Sequence, residues 1–167
     1  MKIKLANIYD GLNNLQFETG AAELGFDKDE EKLFLFPEKI EIHVEVQKLS
    51  DKYFIKAHII TNARYVCDRC LTDFQKKLKS KFQLVYSKET RNKFEDDVYR
   101  FLEENAFEID LTDDVRENLL LVLPMKHVCS EECKGLCLKC GANLNKESCN
   151  CTEDDIDPRW EKLKSLK

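Results

Sequence analysis

Eight cysteines, all at or after Cys67, constrain this chain more than any other feature of its 167 residues. Cys67-Asp-Arg-Cys70 and Cys137-Leu-Lys-Cys140-Gly141 are CxxC pairs. Such a turn presents two thiolates to one metal while backbone N–H groups point at the sulfurs. Gly141 suits the positive φ that follows the second cysteine of such a knuckle. Cys129-x3-Cys133 has the i, i+4 spacing of a helical turn. Cys149-Asn-Cys151 is a CxC pair on extended chain or a turn. In an exported protein these thiols would pair as disulfides. The first residues, MKIKLANIYDG, contain no apolar signal core, so the expected compartment is the reducing cytoplasm. There the spacing reads as metal, and four thiolates per ion make zinc the expected cofactor, with two ions for Cys67, Cys70, Cys129, Cys133, Cys137, Cys140, Cys149 and Cys151.

Two pairings are open. In the first, Cys137, Cys140, Cys149 and Cys151 form a local clip, and Cys67 and Cys70 meet Cys129 and Cys133. In the second, Cys129, Cys133, Cys137 and Cys140 share one site, and Cys67, Cys70, Cys149 and Cys151 the other. Local loop closure costs less entropy, which favours the first. His127 is a conceivable substitute ligand, but it reads more simply as a loop histidine. His43 and His58 lie in strands among non-ligands. All-cysteine sites leave no open coordination position, so they are structural and not catalytic.

The first half of the chain has a period of two. Ile40, Ile42, Val44 and Val46 alternate with polar residues, then Ser50-Asp51 reads as a turn. Tyr53, Ile55, Ala57 and Ile59 mark the next strand, extended by residues 63–66, and Leu78, Ser80, Phe82, Leu84 and Tyr86 another. Ile3, Leu5 and Ile8 hint at a short first strand, and residues 23–31 read as an acidic loop. Leu111, Val115, Leu119, Val122 and Leu123 then follow a helical period, with Asp110 or Thr112 as cap and Pro124 as stop. Asp157-Pro158-Arg159-Trp160 opens a last helix that Trp160 and Leu163 dock on the body. The expected class is α+β. An antiparallel sheet or small barrel fills residues 1–94, and helices with a zinc-binding cysteine-rich segment fill residues 95–167. The two are packed as one structural unit.

The net charge of −5 excludes a wholly basic nucleic-acid coat, but the charges are polarised. Lys76, Lys77, Lys79, Lys81, Lys88, Arg91 and Lys93 stand against Glu89 alone, with Phe74, Phe82, Tyr86 and Phe94 interleaved. The bland reading is a solvated face, and Phe82 and Tyr86 share the alternation of core residues. The sharper reading is an RNA-binding face for a phosphate backbone. Residues 95–118 carry ten carboxylates against Arg100 and Arg116, a surface suited to a basic protein. No apolar run approaches the roughly 20 residues of a membrane helix. No phosphate-binding loop, GxGxxG, HExxH or GxSxG motif is present, so no enzyme activity and no small-molecule substrate are expected.

A set of spaced motifs carries a family resemblance. Cys67-Asp-Arg-Cys70-Leu71 is followed by Ile109-Asp110-Leu111 and Leu121-x-Leu123-Pro124. Then come Cys129-x3-Cys133-Lys134-Gly135-Leu136-Cys137-x2-Cys140-Gly141-x-Asn143-Leu144-Asn145, Cys149-x-Cys151, and Asp157-Pro158-Arg159-Trp160-x2-Leu163. This stretch, roughly residues 65–167, resembles the YceD family, the large ribosomal RNA subunit accumulation proteins. The N-terminal sixty residues match only in being β-rich. Leu138 stands where the family often has proline, and leucine tolerates that turn. The resemblance implies a cytosolic bacterial or organellar protein needed for 23S rRNA to accumulate, without catalytic activity. It leaves two modes of action open. One is an assembly factor touching 23S rRNA or a large-subunit precursor through Lys76–Lys93 and the knuckles. The other is an acidic chaperone-like binder of a basic ribosomal protein.

Overall fold

The computed structural model describes residues 1–26, 36, 38–88 and 98–151. The expected helix at Asp157–Trp160, the residues Arg91, Lys93 and Phe94, and most of the acidic loop after Leu24 lie outside them.

A five-stranded sheet dominates, in the order β2-β3-β4-β5-β6. Its strands are β2 (Gly11–Thr19), β3 (Ile40–Leu49), β4 (Lys52–Val66), β5 (Asp73–Ser87) and β6 (Tyr99–Phe101). The first four form an antiparallel meander, and β6 lies parallel to β5. The sheet is therefore mixed and open, not a closed antiparallel barrel. A second, two-stranded sheet pairs β1 (Lys2–Lys4) with β7 (Glu108–Asp110), and α1 (Thr112–Val122) follows at once.

The alternation has the expected consequence. Ile40, Ile42, Val44 and Val46 of β3 and Tyr53, Ile55, Ala57 and Ile59 of β4 face one side and are buried. Leu78, Leu84 and Tyr86 of β5 join them, and Ile3, Ile109, Leu111, Val115 and Leu119 cover them. Each such aliphatic side chain contributes about 1.5–3 kcal/mol by leaving water. Ser50 takes a positive φ of 53° in the two-residue turn joining Leu49 to Lys52.

Three features differ from expectation. β2 is an edge strand whose polar Asn13, Asn14 and Gln16 conceal its alternation. β3 and β5 continue past the residues with a clear pattern, and β5 pairs with β4, which ends at Val66 as expected, along fifteen residues. At α1, Asp110 Oδ1 accepts the Thr112 backbone N–H at 2.9 Å, which sets the entry turn although Leu111 occupies the capping position.

The inner face of β5 is tied to α1 by polar contacts as well. Ser80 Oγ donates to the Asn118 carbonyl at 3.2 Å. Arg100 and the Tyr86 hydroxyl both reach Asp114, each at 3.5 Å. Burial raises the Asp114 pKa, although the Arg100 charge opposes it.

Candidate metal centres and a basic sheet face

The hairpin turn between β4 and β5 is the first CxxC knuckle. The Cys67 N–H donates to the Thr72 carbonyl at 2.9 Å and the Leu71 N–H to the Cys67 carbonyl at 2.9 Å. The second knuckle repeats this wiring. The Cys137 N–H donates to Ala142 at 2.8 Å and the Gly141 N–H to Cys137 at 2.9 Å. Gly141 has φ 74°, as its position requires, and Leu71 occupies the equivalent position of the first knuckle with φ 54°.

The thiols assemble into two tetrads. Cys67, Cys70, Cys129 and Cys133 form one, and Cys137, Cys140, Cys149 and Cys151 the other, with all four sulfurs of each within 4.8 Å of one another. This is the first of the two pairings. Within the first tetrad, Cys67 Sγ lies 3.9 Å from Cys133 Sγ and Cys70 Sγ 3.7 Å from Cys129 Sγ. A tetrahedral ion with metal–sulfur bonds of ~2.3 Å separates its sulfurs by ~3.8 Å. The residues thus fit a single four-thiolate ion, and all eight cysteines are free of disulfides.

Electrostatics support the same use. Burial opposes ionisation of Cys67, yet backbone N–H groups of Cys129, Cys70 and Arg69 bring its pKa down to about 6. N–H groups of Cys140 and Lys139 bring Cys137 to about 6 as well. Burial and the neighbouring thiols push Cys129 up to about 12, and the Cys140 and Cys137 thiols push Cys151 to about 12. A bare tetrad cannot hold four negative charges, and a divalent ion removes that conflict.

The surroundings of the two tetrads differ. Cys67, Cys70 and Cys133 are buried, whereas Cys140 and Cys151 are exposed. The first tetrad is also braced. The Asp68 N–H donates to the His127 carbonyl at 2.7 Å, and the His127 N–H returns to Asp68 Oδ2 at 2.7 Å. Arg69 donates to the Cys133 carbonyl at 3.1 Å, and Asn145 donates to Cys133 Sγ at 3.3 Å. Cys129 and Cys133 lie on a turn closed by the Cys133 N–H on Ser130, not on the helical turn that their spacing suggests. His127 is no part of either tetrad.

The basic residues divide by strand parity. Lys77, Lys79 and Lys81 point to the open side of β5 and are exposed. Lys76 is exposed but has the parity of the covered side. Lys88 lies beyond the strand and donates to the Glu104 carbonyl at 3.1 Å. The interleaved aromatics do not share the lysine face. Phe74, Phe82 and Tyr86 have the inward parity, and Phe74 packs against Tyr65 with ring centroids 5.7 Å apart. A different pair, Tyr99 and Phe101, is exposed on β6 opposite Val85 and Ser87, at the end of β5 beyond Lys81. Their three-residue strand is too short to show a period, so only their position after a basic strand hinted at them.

Fold and site together define an α+β protein whose mixed sheet is stapled by one cysteine tetrad and followed by a second. The family model for "Large ribosomal RNA subunit accumulation protein YceD" matches residues 55–167, and the chain belongs to the YceD family. It is 40% identical over 60 residues to a chloroplastic YCED homolog 1 of Arabidopsis thaliana, covering 36% of this chain and 19% of that one. The maize homolog is 49% identical over 50 residues, covering 29% of this chain and 17% of its own length. An uncharacterized protein of Mycobacterium tuberculosis is 30% identical over 128 residues, 74% of this chain and 60% of that one. The chain thus spans from 17% to 60% of the length of these relatives. No solved structure matches it. Among the described residues, no helix is long and apolar enough to cross a membrane.

Proposed function

We propose that this chain is a non-enzymatic, cytoplasmic ribosome biogenesis factor that supports accumulation of 23S rRNA. In this reading it carries two structural zinc ions and touches rRNA or a large-subunit precursor through β5. Membership of a family named for large-subunit rRNA accumulation supplies the process. The observation that supports contact through β5 is a coupling between tetrad and strand. The first knuckle is the turn that launches β5, so the metal would fix the strand that displays Lys77, Lys79 and Lys81. Four thiolates per ion leave no position for substrate, which fits a structural role.

The acidic alternative is weakened by internal use of its charges. Asp114 is engaged by Arg100 and Tyr86, and Asp110 by the amino group of Met1 at 3.1 Å. Fewer carboxylates are then left for a basic partner.

Depletion of the protein tests the reading. The 23S to 16S rRNA ratio and the large-subunit peak should fall, and wild type should restore both. A variant with Lys77, Lys79 and Lys81 changed to Glu should not. Unchanged rRNA on depletion would overturn the biogenesis reading. Full restoration by the lysine variant would overturn contact through β5.

A further inference from the structure

We infer that the half of the open sheet face built by β4, β5 and β6 binds single-stranded RNA, with phosphates on Lys77, Lys79 and Lys81 and bases stacked on Tyr99 and Phe101. This rests on the rRNA reading above and adds the form of RNA recognised.

The register places these groups on one surface. Tyr99 pairs with Val85 and Phe101 with Ser87. Val85 and Ser87 share the parity of Lys77, Lys79 and Lys81, so both rings stand on the lysine side of the sheet. Arg100, between them, has the opposite parity and reaches Asp114 at 3.5 Å. Tyr99 is 44% and Phe101 58% exposed. Phe54 of β4 lies opposite Val85, so Phe54, Val85 and Tyr99 form one apolar row across three strands. Lys56 and His58 continue β4 beside Gln83 and Lys81. The run from Lys77 to Val85 spans ~27 Å, enough for several nucleotides.

Charge selects which half of the face serves. The β2–β3 half displays Glu18, Glu41 and Glu45, which repel phosphate, whereas β5 displays lysines without an acid between Lys76 and Lys88. A polyanion is therefore confined to the side where the aromatics stand. Lysines alone would serve any polyanion. Exposed rings farther along the same face, opposite Val85 and Ser87, add what a duplex cannot use, because its bases are already stacked on each other, and what an unpaired strand can.

The experiment uses the full-length, zinc-supplemented protein and a fluorescein-labelled uridine-rich RNA of about 12 nucleotides, a length within the usual site sizes. A duplex of equal length is the comparison, and anisotropy is read across a salt series. The single strand should bind at least about tenfold more tightly than the duplex. Tyr99→Ser with Phe101→Ser should weaken single-strand binding by about tenfold or more at unchanged salt slope, and Trp at both positions should restore it. Lys77→Glu, Lys79→Glu and Lys81→Glu together should weaken binding and reduce the salt slope by about 2. If the serine pair loses its circular dichroism signature, Tyr99→Leu with Phe101→Leu makes the same comparison with apolar bulk retained. Equal or tighter duplex binding, or indifference to the aromatic changes, would overturn this inference and leave rRNA contact standing. Failure of the wild type to bind either RNA would overturn both.

Discussion

The imidazole of His127 stacks on the ring of Tyr65, centroids 4.5 Å apart and planes 17° apart. Tyr65 is a core residue near the end of β4, two positions before Cys67, and His127 lies two positions before Cys129. The stack joins the two chain segments that supply the first tetrad. His127→Ala should therefore lower thermal stability by about 1 kcal/mol, the usual worth of an aromatic pair, whereas His127→Phe should keep most of it. Thermal denaturation of the metal-loaded protein checks this. Tyr65→Phe should be neutral or stabilising, since the buried Tyr65 hydroxyl has no hydrogen-bond partner among the described residues.

The matching knuckles give a second expectation. Leu71 is exposed and holds a left-handed conformation that glycine adopts without strain. Leu71→Gly should raise stability by up to about 1 kcal/mol, because relief of strain outweighs the entropy of the new glycine. Gly135→Ala should do the reverse, costing about 1–2 kcal/mol. Gly135 has φ +77°, and a Cβ there would meet the Arg69 carbonyl oxygen at 3.1 Å. That carbonyl already accepts the Leu136 N–H at 3.1 Å. Paired denaturation curves with metal content held constant would show both signs.

Metal removal should proceed in order. The second tetrad, with two exposed thiols, should yield its ion to a chelator before the first, where three of four are buried. Elemental analysis should give about two zinc ions per chain at the start and about one midway. Cys149→Ser should remove one ion and spare the sheet. Cys67→Ser should also remove one but loosen the β4–β5 turn, visible as faster amide exchange at Asp68 and Leu71. Loss of a single common ion from both variants would refute the pairing.

Alkaline stability has a defined sign. Burial, reinforced by the Asp114 carboxylate, pushes Tyr86 up to about 12. The unfolded chain releases that proton near the ordinary value of ~10, so stability from this group is complete below pH ~10 and is lost as pH rises toward 12. Tyr86→Phe should flatten stability over that window. A residual slope remains from Tyr65, whose pKa is also raised by burial.

Much of the framework was legible because its physics is local. Isoleucines at period two fixed β3 and β4, a helical period fixed α1, and loop entropy selected the tetrads that the structure brings together. What escaped was non-local or weakly patterned. β7 is three residues long and acquires meaning only from its pairing with β1, the short first strand hinted at by Ile3, which ends before Leu5. β2 keeps Leu15 and Phe17 half-buried at a sheet edge among amides, so its signal is faint. The sheet is open because its edge strands β2 and β6 do not pair with each other among the described residues, which no local pattern specifies. The core alternation of Phe82 and Tyr86 was legible, and strand parity does send them inward, whereas only sheet order places Tyr99 and Phe101 on the lysine side of the sheet.

Crosslinking in growing cells, followed by purification of the full chain and sequencing of the attached RNA, tests the central claim most directly. Precursor or mature 23S rRNA should be strongly enriched over total RNA, with crosslinked peptides from β5 and β6. Recovery of a basic ribosomal protein with no rRNA crosslinked to the chain would contradict it.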